Sequence, residues 1–217
     1  MFKPYYQDDS CTIYHGDCRE ILPVLEPVDL VLTDPPYGIN LNTDCSRFKR
    51  NDGRLDTRIR AGNNVPVTGD KGSFEPSFLL EYGKRQIIWG WNHFPEKLKR
   101  GACLVWIKTS ERAFGKFLSD AELAFLSSGY GVFCRKDFEN KANSKSRVHP
   151  TQKPLGLFKW CIEKHGGNPD LILDPFMGSG TTLRAAKDLG RKAIGIELEE
   201  KYCEIAAKRL AQEVLAL

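Results

Sequence analysis

The chain has 217 residues, of which 41% are hydrophobic, and a formal net charge of +4. That length suits one α/β domain, which buries a sizeable core without disulfides or a structural metal. The seven cysteines are scattered without a Cys-x-x-Cys pair, which argues against a disulfide framework and against a zinc site. The sequence shows no signal pattern and no apolar run long enough to span a bilayer, so we expect a cytoplasmic protein with no membrane partner.

Strands and helices are predicted to alternate along the chain. The strands are predicted at 11–16, 28–33, 86–90, 103–107, 131–135, 171–174 and 192–196. The helices are predicted at 18–25, 76–82, 118–127, 154–165, 181–189 and 199–214. This alternation indicates a single domain, 1–217, built on a mostly parallel, doubly wound sheet with helices on both faces.

The predicted strand 28–33 runs directly into Asp34-Pro35-Pro36-Tyr37. Neither proline has an N–H to donate, so the chain must leave the sheet here in a stiff extended turn. A carboxylate and an aromatic ring are then held at the carboxyl end of a strand, where open α/β sheets bind ligands. An acid, carbonyls without partner N–H groups and a stacking ring suit a flat base that bears an amino group.

A second unit of strand, glycine turn and helix lies at 171–197. Its turn carries Asp174, Pro175, Phe176, Met177, Gly178, Ser179, Gly180, Thr181 and Thr182. The helix that follows is expected to end before Gly190, and the next strand ends in Glu197. An acid at about 20 residues from such a turn predicts a nucleoside site, because it can accept hydrogen bonds from ribose hydroxyls.

The glycine turn differs from a phosphate-binding loop. It has one Gly-x-Gly without a following Lys-Ser/Thr pair, and Asp174 would repel a phosphate. A ligand with a cationic centre, an ammonium group and a ribose matches these side chains better. We therefore predict S-adenosylmethionine as cofactor, with S-adenosylhomocysteine as its product.

Four motifs, in this order, resemble the β-class amino-DNA methyltransferases, whose catalytic motif precedes the cofactor motif. The motifs are Gly16-Asp17, the tetrapeptide 34–37, His149-Pro150-Thr151-Gln152-Lys153-Pro154 and the run 174–181. The resemblance covers about residues 11–210 and is greatest to the short phage, prophage or restriction–modification members. It implies a Rossmann-like, seven-stranded methyltransferase sheet with one antiparallel strand.

The resemblance also assigns roles to residues of these motifs. Asp34, Pro35, Pro36 and Tyr37 are implied to be catalytic. The residues implied to bind the cofactor are Asp17, Asp34, Lys153, Asp174, Pro175, Phe176, Gly178, Ser179, Gly180, Thr181, Thr182 and Glu197. The substrate is implied to be double-stranded DNA, methylated on a base flipped out of the helix. Asp at the first catalytic position goes mostly with N6 of adenine in this family, so adenine is predicted.

Basic residues cluster in two segments, which predicts contacts with DNA. The first cluster is Arg47, Lys49, Arg50, Arg54, Arg58 and Arg60. It lies in 39–73, which we expect to be a mobile loop that closes over DNA; the alternative is a solvated insertion. The second cluster is Arg135, Lys136, Lys141, Lys145 and Arg147, in a short target-recognition region expected at 109–148.

Several alternatives stay open at this point. The acceptor could be N4 of cytosine; an RNA base and a protein amide are further alternatives. Asp17 and Glu197 could each serve only as caps of the helices that follow them. The histidines have no metal-ligand spacing, so we expect no metal. Family members often form homodimers, but no heptad or edge pattern in the sequence decides the oligomeric state.

Overall fold

The computed structural model describes residues 2–40, 69–70, 72–98, 100–109, 114–115, 119–136 and 153–212. These residues form one nine-stranded sheet. Its strands are β1 (Tyr6–Gln7), β2 (Cys11–His15), β3 (Val28–Thr33), β4 (Gly83–Trp89), β5 (Ala102–Ile107), β6 (Ala121–Leu126), β7 (Val132–Lys136), β8 (Leu171–Asp174) and β9 (Lys192–Glu197). They lie in the order β1-β2-β9-β8-β3-β4-β6-β5-β7.

The centre of the sheet is parallel, from β2 through β9, β8 and β3 to β4. β1 pairs antiparallel with β2, and β6 is antiparallel to both of its neighbours, β4 and β5. The connection from β8 leads to β9 on one side, whereas that from β3 leads to β4 on the other. The carboxyl ends of β3 and β8 therefore form a topological switch point, the usual ligand-binding place in such sheets.

Helices cover both faces of the sheet. They are α1 (Cys18–Ile21), α2 (Leu155–Trp160), α3 (Thr181–Asp188) and α4 (Glu200–Leu210). A 3₁₀ turn, Leu22–Val24, continues α1, and a π turn, Cys161–His165, continues α2; further 3₁₀ turns are Ser77–Glu81 and Trp91–His93. Among the helices of the described ranges, none is both long and apolar enough to cross a membrane.

The alternation of side chains along the central strands divides the core between the two faces. Leu30 and Leu32 of β3 pack on one face with α2, α3 and α4. Val31, on the opposite face, packs with α1. A third cluster on that second face contains Phe74, Phe94 and other aromatic and aliphatic side chains beside the end of β4.

The predicted fold class is confirmed, and each of the seven predicted strands is present. Two further strands, β1 and β6, raise the number in the described sheet to nine. The prediction of a helix at 118–127 was wrong, because this segment contains β6. Its Ala, Glu and Leu residues favour helix intrinsically, but pairing along both edges, with Ile87 of β4 and Leu104 of β5 among the partners, outweighs that preference.

Candidate active site

An open cavity of about 700 Å³ lies along the edge of the sheet where the parallel strands end. Asp34 and Tyr37 line one part of this cavity, whereas Gly178 and Glu197 line another. Because β6 is antiparallel, its amino end lies at the same edge and contributes Glu122. The two predicted motifs, which are far apart in sequence, thus open into one cavity.

Asp34 follows β3 directly, and both of its carboxylate oxygens accept hydrogen bonds. The hydroxyl of Tyr37 donates to Oδ1 at 2.5 Å, and the ammonium of Lys153 donates to Oδ2 at 2.5 Å. Burial, together with the charge of Asp34, raises the pKa of Tyr37 well above its ordinary value. Tyr37 therefore stays a hydrogen-bond donor to Asp34 at neutral pH.

Asp70 fixes the turn behind the tetrapeptide. Its Oδ1 accepts hydrogen bonds from the backbone N–H of Gly38 at 2.7 Å and of Ile39 at 3.2 Å. Gly38 has a φ of +72°, and a Cβ at this position would lie 2.3 Å from the carbonyl oxygen of Gly72. The turn therefore needs glycine, and it needs an acid supplied from beyond the segment 41–68.

Lys153 lies buried between two carboxylates. Its Nζ is 2.5 Å from Asp34 Oδ2 and 3.0 Å from Glu122 Oε2. Burial alone would lower the pKa of the Lys153 ammonium, but the negative charges of Asp34 and Glu122 raise it well above its ordinary value. Lys153 is consequently a permanent cation in this site and has no role as a base near neutral pH.

The ring of Tyr37 stacks on His93, with centroids 4.7 Å apart and 18° between the planes. Gly90, with a φ of +82°, makes room for this ring, since a Cβ there would lie 2.1 Å from Tyr37 Cε1. His93 lines the cavity from the short turn that follows β4. His93 thus forms an aromatic pair with Tyr37 at the cavity wall.

Glu197 ends β9 and holds the glycine turn. Its Oε2 accepts a hydrogen bond from Gly178 N at 2.9 Å, and its Oε1 accepts one from Glu199 N at 2.8 Å. Burial raises the pKa of its carboxyl, although these backbone N–H groups oppose the shift. Each oxygen retains a second lone-pair direction, so hydroxyl groups in the cavity can still donate to it.

Asp174 lies beneath the glycine turn and does not line the cavity. Its carboxylate accepts hydrogen bonds from Thr33 Oγ1 at 2.7 Å, from Phe176 N at 3.1 Å and from Thr182 Oγ1. Burial raises its pKa to about 6, although the two threonine hydroxyls oppose the shift. Through these hydrogen bonds, Asp174 connects the start of the glycine turn to β3 and α3.

The remaining residues of the glycine turn divide into two groups. Pro175, Phe176 and Gly178 line the cavity, as does Asp17 after β2. Ser179, Gly180, Thr181 and Thr182 are buried and are not among the residues that line it. The position of the first group at the cavity wall supports a direct role in cofactor binding. For the residues of both groups, cofactor binding stays a prediction.

Asp17 also caps α1, because its Oδ1 accepts a hydrogen bond from Arg19 N at 2.9 Å. Both readings of this residue, the cap and the cavity contact, fit its position.

Residues 131–208 match the model of a family described as DNA methylase. The putative methylase YubD of Escherichia coli strain K12 is 30% identical over 201 residues, which cover 90% of this chain and 88% of that protein. The chain belongs to the DNA methylase family. The methylase is also 27% identical to the Type II methyltransferase M2.DpnII of Streptococcus pneumoniae, over 98% of this chain and 94% of that protein. The predicted family is confirmed.

Two solved structures share the fold of the methylase. The cytosine-N4-specific PvuII DNA methyltransferase has a TM-score of 0.63 and 18% identity, covering all of this chain and 92% of that one. M1.HpyAVI, in its complex with S-adenosylmethionine, has a TM-score of 0.58 and 23% identity, covering 92% of this chain and 99% of that one.

Sequence reasoning missed two charged residues of the methylase site. Glu122 escaped notice because its segment was read as a helix, and Lys108, whose Nζ is 2.7 Å from Glu122 Oε1, lies just after β5. Lys153 was predicted, by resemblance, to bind the cofactor. Its direct contacts are with Asp34, Glu122 and Tyr37.

Most of the predicted DNA-binding residues lie outside the described ranges. These are Arg47, Lys49, Arg50, Arg54, Arg58, Arg60, Lys141, Lys145 and Arg147. Arg135 and Lys136 end β7, beside Trp106 and Ile107 of β5, at the same edge of the sheet as the cavity. Within 109–148, the segments Ala121–Leu126 and Val132–Lys136 are strands of the sheet, so the predicted recognition region includes part of the core fold.

The described part of the methylase contains no group of three or more potential metal ligands. Its six described cysteines, at 11, 18, 103, 134, 161 and 203, are all free thiols.

Proposed function

We propose that this methylase transfers a methyl group from S-adenosylmethionine to N6 of adenine in double-stranded DNA, as a site-specific modification enzyme of the restriction–modification type. One observation carries the proposal: the Asp34 tetrapeptide and the Glu197 glycine turn open into the same cavity. The cavity volume, about 700 Å³, falls in the range of sites that hold small ligands.

The cofactor would lie at the part of the cavity lined by Gly178 and Glu197. The Glu197 carboxylate would accept hydrogen bonds from the ribose hydroxyls, because its position at the end of β9 is the one that acids take in nucleoside-binding units. Phe176 and Tyr202 line the same part and offer aromatic surface for the adenine ring. The complex of the similar M1.HpyAVI with S-adenosylmethionine supports this choice of cofactor.

The target base would lie at the part of the cavity lined by Asp34 and Tyr37. Its exocyclic amino group would donate one hydrogen bond to the Asp34 carboxylate and one to the carbonyl of Pro35, which favours a more tetrahedral nitrogen. The nitrogen lone pair, otherwise conjugated into the ring, could then form a bond to the sulfonium methyl group in line. The S–C bond of the cofactor would break, S-adenosylhomocysteine would leave, and the methylated nitrogen would lose one proton to solvent. Positioning and preorganised acceptors would supply most of the rate acceleration.

The base reaches this cavity only when it leaves the helix, since its amino group is inaccessible inside a duplex. Tyr37 would stack on the flipped base, and stacking of a base on an aromatic ring contributes roughly 1–3 kcal/mol. Arg135 and Lys136, at the same edge of the sheet, would contact phosphates of the flanking DNA.

A labelled-transfer assay tests this proposal. Tritium from the methyl group of S-adenosylmethionine should appear in unmethylated genomic DNA with wild-type protein. It should not appear with Asp34→Ala, although that variant should bind S-adenosylhomocysteine with nearly unchanged affinity in calorimetry. Equal incorporation by the two proteins would contradict the catalytic role of Asp34.

Two further features belong to the proposal and await their own tests. A cytoplasmic location agrees with the free thiols of the described cysteines. Homodimer formation, which the family resemblance implies, predicts a molar mass of about twice that of the monomer in sedimentation equilibrium at micromolar concentration.

A further inference from the structure

Four charged side chains alternate in sign along the wall of the cavity. Lys108 Nζ lies 2.7 Å from Glu122 Oε1, and Glu122 Oε2 lies 3.0 Å from Lys153 Nζ. Lys153 Nζ lies 2.5 Å from Asp34 Oδ2. The series crosses the sheet edge from β5 through β6 to β3 and ends on the carboxylate proposed to bind the target amino group.

The members of this series become more enclosed toward its middle. The side chain of Lys153 is 6% exposed, whereas those of Glu122 and Lys108 are 26% and 28% exposed. A cation buried as fully as Lys153 needs compensating negative charge, and Asp34 and Glu122 supply it from two directions. Burial would raise the pKa of Glu122, but Lys153 and Lys108 outweigh it and hold this pKa at about 2.

The way in which the positive charge of Lys153 is shared between Asp34 and Glu122 affects how strongly Asp34 accepts hydrogen bonds. If Asp34 were the sole carboxylate beside it, the ammonium would neutralise Asp34 and weaken it as an acceptor for the amino group of a base. Glu122 faces the same ammonium and takes up part of its charge. The ammonium is thus held between two carboxylates, 2.5 Å from Asp34 Oδ2 and 3.0 Å from Glu122 Oε2.

We propose that Glu122 is a positioning residue for methyl transfer, which shares the Lys153 ammonium with Asp34 and so fixes the Asp34 carboxylate as a strong hydrogen-bond acceptor facing the cavity. This inference rests on the proposed function and extends it to a residue that makes no direct contact with Asp34. Lys108 completes the arrangement by balancing the charge of Glu122.

The sheet offers a matched control at its opposite edge. Asp29, near the start of β3, pairs with Lys84 of β4 at 2.8 Å, and the Asp29 side chain is 30% exposed. The Asp29→Asn substitution removes an ion-paired carboxylate from a central strand of the same sheet, at the end opposite to the cavity. This variant therefore shows how far the loss of an ion-paired carboxylate slows methyl transfer by its effect on the fold alone.

Single-turnover methyl transfer, at saturating S-adenosylmethionine and DNA, tests the role of Glu122. Glu122→Gln keeps the size of the side chain and removes its charge, and we expect it to slow transfer about 10- to 100-fold. Its affinity for S-adenosylhomocysteine should stay within about twofold of wild type, and Asp29→Asn should transfer at the wild-type rate. Glu122→Asp should be faster than Glu122→Gln, whereas a space-filling role would give the opposite order.

A measurement without turnover separates this inference from the proposed function. With ¹³C-labelled aspartate, the carboxyl resonance of Asp34, assigned by its loss in Asp34→Ala, should shift in Glu122→Gln and not in Asp29→Asn. If wild-type protein methylates no DNA, the proposed function fails, and this resonance still decides the coupling of Glu122 to Asp34. An unmoved resonance, or a Glu122→Gln transfer rate within twofold of wild type, would overturn the inference.

Discussion

The hydroxyl of Tyr37 lies 2.5 Å from Asp34 Oδ1 and donates a hydrogen bond to it. The Lys153 ammonium donates to the other oxygen, Oδ2, so each oxygen of the Asp34 carboxylate already accepts one hydrogen bond. A target amino group that donates to Oδ1 must therefore share that oxygen with the Tyr37 hydroxyl or displace the hydroxyl from it. The ring and the hydroxyl of Tyr37 consequently have separable roles.

Substitutions at Tyr37 distinguish the two roles. Tyr37→Phe keeps the ring and removes the competing donor, so DNA affinity and single-turnover rate should change by less than about threefold. Tyr37→Ala removes a stacking contribution of roughly 1–3 kcal/mol, which corresponds to a loss of DNA affinity of about 5- to 150-fold. Fluorescence titration with 2-aminopurine at the target position measures this affinity. A Phe variant as impaired as the Ala variant would refute the stacking role.

Removal of the Glu197 carboxylate should weaken cofactor binding. Hydrogen bonds to a charged group contribute about 1.5–3 kcal/mol, so the Kd of S-adenosylhomocysteine in Glu197→Ala should rise about 10- to 150-fold. Glu204→Ala is a suitable control, because Glu204 lies on α4 with its side chain 58% exposed and pairs only with Lys208 among the ion pairs described. Calorimetry that finds equal affinity for the Glu197 variant and wild type would contradict the ribose contact.

The pH dependence of the free energy of unfolding should show the raised pKa of Asp174. Burial raises its pKa from 3.8 to about 6 in the folded protein, so the folded state binds this proton more tightly than the unfolded chain. Its contribution to the free energy of unfolding is fully present below pH 3.8 and is lost as pH rises to about 6, by about 3 kcal/mol at most.

Urea titrations between pH 4 and 7 should therefore show this loss in wild type and not in Asp174→Asn, which has no carboxyl to titrate. Other carboxylates contribute equally to both proteins, so the difference between the two curves isolates Asp174. Parallel curves for the two proteins would mean that Asp174 titrates near its ordinary pKa.

The basic residues of 39–73 should contact phosphates. Replacement of Arg47, Lys49, Arg50, Arg54, Arg58 and Arg60 by Gln should weaken DNA binding and reduce the slope of log K against log salt by up to about 5. Folding should persist if Asp70, which holds Gly38, is left unchanged. Arg191→Gln, which lies just before β9 at the opposite edge of the sheet, should leave the slope unaltered. An unaltered slope in the six-residue variant would indicate a solvated insertion.

The sequence predicted the central strands because their apolar runs are continuous and bounded by turn residues. β6 was missed because Ala-Glu-Leu-Ala-Phe-Leu has a high intrinsic helix preference, and only its pairing with β4 and β5 makes it a strand. Glu122 was therefore missed with it. The tetrapeptide and Glu197 were located because each follows a recognisable strand.

Other contacts join residues that no local pattern connects. Lys153 meets Asp34 across 119 positions of the chain, and Asp70 meets Gly38 across 32. The role of Asp174 also depends on packing, because only the folded structure places its carboxylate beneath the turn, with Thr33 and Thr182 as partners. Sequence motifs thus indicated the chemistry of the site, and the long-range contacts set its geometry.

Identification of the methylated nucleoside tests the central claim most directly. Unmethylated genomic DNA would be incubated with the wild-type protein and S-adenosylmethionine, digested to nucleosides and measured by mass spectrometry. The account predicts N6-methyladenine, absent when Asp34→Ala replaces the wild type. N4-methylcytosine as the sole product would contradict the assignment of adenine, and unmodified DNA from a protein that binds the cofactor would contradict DNA methylation itself.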